Sequence, residues 1–347
     1  MASYPATVQA IGDLNVVPVE SVLQGRSAAA QFVWQNTRLG GWLRERRIDV
    51  CLNINHYLLN LGCPQVIYHL NLLRFPEQPR SGWSMATLAE RLRDWTAKRA
   101  LTHADANVFE SKFLESSARR IAEPRNPQVV YIGLPERLHE LAQQARVKLE
   151  SCAEAPEVGN SGDRNPLRIV SVTSPAPHKD NGTLIRMLQR LIELQPNLDW
   201  HLDVAGGTNP AAWESTRRLA EELEVDNRIQ WHGFCDNDQL TKLMQSALCL
   251  VSTSRVESFC MVALEAMARG CPAVVADCAA MPESVGAAGL LAQPGNPDSF
   301  ARAVLSLADD VLLRRQLVAE GLQWIGAFRW KECGLQFRKL LSDVASK

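Results

Sequence analysis

Two glutamates, Glu257 and Glu265, stand eight residues apart in the stretch ESFCMVALEAMARG, residues 257–270. The spacing puts the second two turns along a helix that the first precedes in a loop. An apolar run, ALCLV at 247–251, comes before this stretch, and PAVVA at 272–276 comes after it. Strand, loop, helix and strand in that order form one unit of a parallel sheet. Its loop and helix N-terminus open at the carboxyl edge of the sheet, where open α/β folds hold their ligands. Unpaired NH groups and a partial positive charge at a helix N-terminus suit a phosphate. Two carboxylates beside a phosphate repel it unless hydroxyl donors occupy them. A ligand with both a phosphate and vicinal hydroxyls is a sugar or nucleoside phosphate. The plainer alternative, a loop carboxylate and a solvent-facing helix residue, is decided by the flanks.

Those flanks supply further pieces in order. RIVSV at 168–172 predicts a strand, and Pro177, His178, Lys179, Asp180 and Asn181 follow it before an amphipathic helix. WHLDVAGG at 200–207 predicts a strand ending in Gly206 and Gly207, with a helix over 210–223. RIQWHGF at 228–234 predicts another strand, which exits at His232, Gly233 and Phe234. With these flanks the stretch resembles the donor site of the retaining glycosyltransferases of GT-B fold often called family 4, or glycosyl transferases group 1. The likeness runs from Arg168 to Trp330. The family's Glu-Gly-Phe-Gly turn corresponds to Glu257, Ser258, Phe259 and Cys260, so both glycines are replaced. Ser258 stands at an N-cap-like position, and Val262 where proline is frequent. Ala280, Met281, Pro282 and Glu283 resemble the family's Ser-Leu-Pro-Glu turn.

The resemblance implies roles. Lys179 neutralises the donor diphosphate together with the backbone around Phe259, Cys260, Met261 and Val262. Gly206, Gly207, His232 and Gly233 wrap the nucleotide, Glu265 accepts from the ribose hydroxyls, and Glu257 orients the donor sugar. Many members carry an arginine six residues before the lysine; Thr173 stands there, so that second cation is missing or supplied from elsewhere. The expected reaction moves a hexose from a nucleotide diphosphate sugar to a saccharide or lipid-linked acceptor with retention of configuration, without cofactor or metal. A catalytically silent GT-B homologue that binds a nucleotide sugar or a partner, and a nucleotide-sugar 2-epimerase, are the alternatives.

The amino half alternates short β-rich runs, at 49–54, 65–69, 107–110 and 128–132, with helices near 87–101 and 111–121, which again implies a parallel sheet. The family's strand-end histidine is matched by His69, with Asn71 close by, and the resemblance puts it against the donor sugar; Asn55 and His56 leave the preceding strand. Family members open with a strand and a glycine-rich loop. This chain opens with what reads as the second strand, 15–19, and Gly40 and Gly41 lie inside an amphipathic stretch. The expected fold class is therefore α/β, GT-B, two Rossmann-like domains facing across a cleft, the amino domain lacking its first strand and glycine loop. The expected domains are 1–150, 166–330 and a terminal helix 331–347 that crosses back to the amino domain, with a Pro/Gly/Ser/Asp-rich linker between about 140 and 166.

Composition agrees. A chain of 347 residues suits two domains. With 37 Lys and Arg against 38 Asp and Glu there is no basic excess of the kind nucleic acid demands. The nine cysteines form no C-x-x-C pair and read as buried thiols in a reducing compartment. No apolar run approaches the ~18 residues of a membrane span. A cytoplasmic protein is expected, with peripheral contact to the inner face of a membrane through basic, Trp-containing helices as the further option.

Overall fold

The computed structural model describes residues 28–54, 61–72, 85–151, 166–207 and 209–346. The expected strand at 15–19, the residues Asn55 and His56, and residues 152–165 of the linker lie outside them. The chain divides into two units: Met1–Gly133 with Phe328–Lys347, and Leu134–Ala327.

The first unit begins with helices α1 (Ala28–Thr37) and α2 (Leu39–Glu45), the latter holding Gly40 and Gly41. Strands β1 (Cys51–Asn53) and β2 (Gln65–His69) follow, then α3 (Met85–His103), β3 (Ala106–Phe109), α4 (Lys112–Arg119) and β4 (Pro127–Val129). The strands form one parallel sheet in the order β1-β2-β3-β4. A parallel sheet is covered on both faces, so its central strands are apolar throughout, and every residue of QVIYH in β2 is buried. On one face Val66, Tyr68, Val108 and Val130 meet Phe337, Leu340 and Val344. These three belong to the last helix, Trp330–Ala345. On the other face Phe109 packs with Ala97, Leu101, Leu114 and Ala118.

The second unit starts earlier than the composition suggests. Residues 140–151, assigned above to a linker, continue a helix, α5 (Glu136–Ser151). It packs on helices of the second unit through Leu138, His139 and Ala142, so the boundary falls at Gly133 rather than near 150. Its largely polar sequence, ERLHELAQQARVKLES, hides which core it serves.

The rest of this unit runs β5 (Leu167–Val172), α6 (Asn181–Leu194), β6 (Trp200–Ala205), α7 (Glu214–Glu222) and β7 (Ile229–Gly233). Then come α8 (Asn237–Ser246), β8 (Cys249–Ser252), α9 (Met261–Ala268), β9 (Ala273–Ala276) and α10 (Met281–Val285). β10 (Leu290–Ala292), α11 (Pro297–Asp309) and α12 (Val311–Trp324) close it. The terminal helix of the first unit is α13 (Trp330–Ala345). The helix expected over 210–223 begins as a 3-10 turn, Pro210–Trp213, before α7.

The six strands are parallel in the order β10-β9-β8-β5-β6-β7. The chain winds outward from β5 in one direction through β6 and β7, then returns to β8 and winds the other way. That order is doubly wound, and its switch point lies between β5 and β8, where the exits of two neighbouring strands diverge and leave a crevice. Among the described residues no helix is long and apolar enough to cross a membrane.

Candidate functional site

Lys179 leaves β5 and Glu257 leaves β8, so the switch point brings them together across 78 residues of sequence, Nζ to Oε1 2.5 Å apart. Both side chains are largely buried, 25% and 17% exposed. The two strand exits are also bonded to each other. The 3-10 turn Pro177–Lys179 ends at Asp180, which takes the left-handed conformation (φ 49°) that redirects the chain into α6. Arg255 donates its backbone NH to the His178 carbonyl at 2.7 Å. The Thr253 hydroxyl donates to the carbonyls of Lys179 and Asp180 at 3.0 and 3.1 Å. Arg255 Nε donates to Asp180 Oδ2 at 2.7 Å. Lys179 is thus carried on a backbone that the β8 exit holds in place.

The helix after Glu257 departs from the expected capping. α9 begins at Met261 with Cys260 as its N-cap, and no side chain of its own loop caps it. The cap comes instead from α10: the Ser284 hydroxyl accepts from the Cys260 NH at 2.9 Å while donating to the Ala280 carbonyl at 2.9 Å. Ser258 therefore does not occupy the N-cap. Phe259 and Cys260 turn their side chains into the core, 5% and 2% exposed, while Met261 and Val262 are half-buried. Burial pushes the Cys260 thiol up to about 12, so it stays protonated and is no nucleophile. Glu265 follows on α9 with 30% of its side chain exposed. Its surroundings push its carboxyl above the usual range through burial, opposed by Arg269.

On the other side of β5, the exits of β6 and β7 line a cavity of about 350 Å³. Gly206 and Gly207 both have positive φ, and the Gly206 NH donates to the Gly233 carbonyl at 2.6 Å. The walls are Trp213 and Trp231, ring centroids 5.3 Å apart, with the Arg217 guanidinium 4.6 Å above Trp231. Phe234 stands at the cavity 73% exposed. His232 Nε2 lies 2.7 Å from Asp203 Oδ1, and Arg168 Nε 3.1 Å from the other carboxylate oxygen. Asp203, Trp213, Arg217 and Trp231 escaped the sequence reading. A single charge inside the apolar strand WHLDVA was the signal that Asp203 carried.

Thr173, where the resemblance leads one to expect an arginine, donates its hydroxyl to Asn181 Oδ1 at 3.1 Å and to the Ser174 carbonyl at 3.4 Å. It thus serves the local turn. His69 is placed otherwise than expected. It has no exposed surface, bonds Asn107 Oδ1 through Nε2 at 2.9 Å, and stacks on Phe109 with centroids 4.9 Å apart. The ring is packed within the first unit.

Burial lowers His69 from 6.5 to about 4, the Asn107 bond opposing. The unfolded chain takes up a proton near 6.5 and the folded one only near 4, so stability is complete above the higher value and declines as pH falls between them. About 2 kcal/mol should be lost by about pH 5. Thermal melts across this range should show the slope in the wild type and lose it in His69→Gln.

The same fold occurs in known proteins. The profile of the family described as glycosyl transferases group 1 matches residues 159–324. D-inositol 3-phosphate glycosyltransferase of Corynebacterium glutamicum (strain R) is 28% identical over 256 residues, 66% of this chain and 61% of the relative. O-antigen chain mannosyltransferase B of Escherichia coli is 29% identical over 162 residues, 46% of this chain and 42% of the relative. The chain thus spans about 61% of the length of the corynebacterial relative.

Among solved structures, sucrose-phosphate synthase of Thermosynechococcus elongatus superposes with a TM-score of 0.69 at 19% identity, over 97% of this chain and 82% of that one. HepE of Anabaena in complex with UDP-glucose superposes with a TM-score of 0.65 at 18% identity, over 92% and 90%. At such identities the structures speak for the fold alone. The chain has the GT-B fold of two Rossmann-like units, and the group 1 profile and the sequence relatives are those of glycosyltransferases.

Proposed function

We propose that this chain is a family 4 glycosyltransferase that moves a hexose from a nucleoside diphosphate sugar to a saccharide or lipid-linked acceptor with retention of configuration. One observation carries the reading: the Lys179 and Glu257 pair sits at the switch point of the second unit, beside the N-terminus of α9 and two turns from Glu265. Cation, helix NH groups and hydroxyl-accepting carboxylates converge there, which is the set a sugar diphosphate requires.

In this reading Lys179 takes the diphosphate, Glu257 turns to the sugar hydroxyls, and Glu265 accepts from the ribose. The aromatic cavity at Gly206, Gly207, His232 and Gly233 receives the base. Lys179 and the N-terminus of α9 stabilise the leaving diphosphate, whose own oxygen takes the acceptor proton; within Phe259 to Val262 the Cys260 NH is given to Ser284 and the Met261 NH to the Phe259 carbonyl. Because HepE holds UDP-glucose in its crystal, uridine nucleotides are the first probes to try.

Calorimetry with UDP, GDP and ADP tests the reading. One of them should bind, and Lys179→Ala should weaken it by about 1–3 kcal/mol, the range of a charge-assisted hydrogen bond. Binding of none of them by the wild type refutes the nucleotide site. Binding of a sugar nucleotide without product in an assay with saccharide and lipid-linked acceptors supports a silent homologue instead.

A further inference from the structure

The Glu265 carboxylate has a buried cation one turn away. Arg269 follows α9 as its C-cap, with 1% of its side chain exposed. A guanidinium does not shed its proton inside a protein, so it has to be satisfied where it lies. Its Nη1 donates to the Glu265 backbone carbonyl at 2.8 Å and its Nε to Thr241 Oγ1 of α8 at 3.0 Å. The Thr241 hydroxyl donates in turn to the Asn237 carbonyl at 2.7 Å. Nη1 also lies 3.8 Å from Glu265 Oε2. A well-packed apolar side chain of similar volume commonly matches or exceeds a buried ion pair in stability, so packing alone does not explain a cation here.

The elements around α9 bring other charges. α5 carries Arg137 and His139, α8 carries Asp238 and Lys242, α10 carries Glu283, and α12 carries Arg314, Arg315 and Glu320. Arg137 is paired with Asp238, and Arg314 donates to the Leu307 carbonyl. Among the described residues, Arg269 is the charged group that acts on the Glu265 carboxyl against its burial.

We propose that Arg269 is a positioning residue of the nucleotide site, holding Glu265 from its buried anchorage as a carboxylate turned to the ribose hydroxyls. This rests on the nucleotide reading above. Glu265 accepts from two vicinal hydroxyls only when ionised, so nucleotide affinity declines as pH falls through the Glu265 titration. Without the guanidinium that titration moves upward, and the decline sets in at higher pH.

The test is calorimetric titration of the whole chain with UDP, GDP and their 2′-deoxy analogues across the acid to neutral range. Arg269→Met should move the acid limb of ribonucleotide binding up by about one pH unit, a roughly tenfold loss at a pH where the wild type is still on its plateau. Arg269→Lys should restore part of the shift. In a Glu265→Gln background Arg269→Met should add nothing, since the two then act as one unit. Should Arg269→Met fail to fold, Thr241→Val, which removes only the Nε anchor, is read in the same way.

A limb that stays in place while the wild type still prefers the ribonucleotide overturns the proposal and leaves the nucleotide site standing. Equal binding of ribo and deoxy forms removes Glu265 from the ribose, and this proposal with it. A wild type that binds no nucleoside diphosphate refutes the underlying reading.

Discussion

Glu257→Gln should bind a free nucleoside diphosphate more tightly than the wild type while turning over about a hundredfold more slowly. The two effects come from one geometry. Lys179 Nζ and Glu257 Oε1 are 2.5 Å apart, and neither side chain is more than a quarter exposed. In the proposed nucleotide site an arriving diphosphate must take Lys179 from an internal carboxylate and then lie beside that carboxylate. At about 5 Å and an effective dielectric near 20, that repulsion is worth roughly 3 kcal/mol, before screening reduces it.

Glutamine keeps the shape and removes the charge, so the lysine is released and the repulsion relieved. The donor sugar gains nothing from the change. On the proposed role of Glu257 its hydroxyls lose a charged acceptor where the ring develops positive character, and the loss should appear in kcat. Calorimetry with UDP or GDP reads the first effect and donor kinetics the second. A looser diphosphate in Glu257→Gln would show that the pair cooperates in binding rather than competing with it. Unchanged turnover would move Glu257 away from the sugar.

Much of the second unit was legible because parallel strands buried on both faces read as short apolar runs. PAVVA and ALCLV therefore located β9 and β8 to within two residues. The Glu-x7-Glu spacing and the Pro-His-Lys turn marked both ends of the switch point. What stayed hidden depends on contacts between residues far apart in sequence. The bond from Ser284 to Cys260 spans 24 residues, and that from Thr253 to Lys179 spans 74. Neither hydroxyl stands out in its own segment.

The mutual pairing of Lys179 and Glu257 was likewise invisible, since each was read against a ligand and not against the other. α5 was misassigned for a different reason: its few apolar residues show that one face is buried but not in which unit. His69 shows what a motif by itself leaves open. A histidine at a strand end fits a site or a core equally well by sequence, and Phe109 and Asn107, which it stacks on and bonds, come from the neighbouring strand β3.

Gly206→Ala should be the most destabilising single-methyl change at the site, costing about 3–5 kcal/mol. Gly206 has φ 111°, a region that L side chains rarely enter, and an added Cβ would stand 2.1 Å from the Thr173 carbonyl oxygen. That oxygen belongs to backbone at the exit of β5, so no side-chain rotation makes room. The strand ends must separate, yet they are tied: the Gly206 NH donates to Gly233, and the Thr173 NH donates to Ala205, at 2.6 and 2.9 Å. Relief of the clash therefore pulls apart the exits of β5, β6 and β7, which are the walls of the aromatic cavity and the root of the Lys179 loop.

Gly326→Ala is the control, because a Cβ at Gly326 meets nothing within 4 Å. That change should be neutral or stabilising by about 0.4–1 kcal/mol through the unfolded chain. Thermal melts of the two variants beside the wild type decide the matter. A Gly206→Ala chain that melts with the wild type would mean that the β5 and β6 exits yield at little cost, and that the glycine pair is not what shapes the cavity.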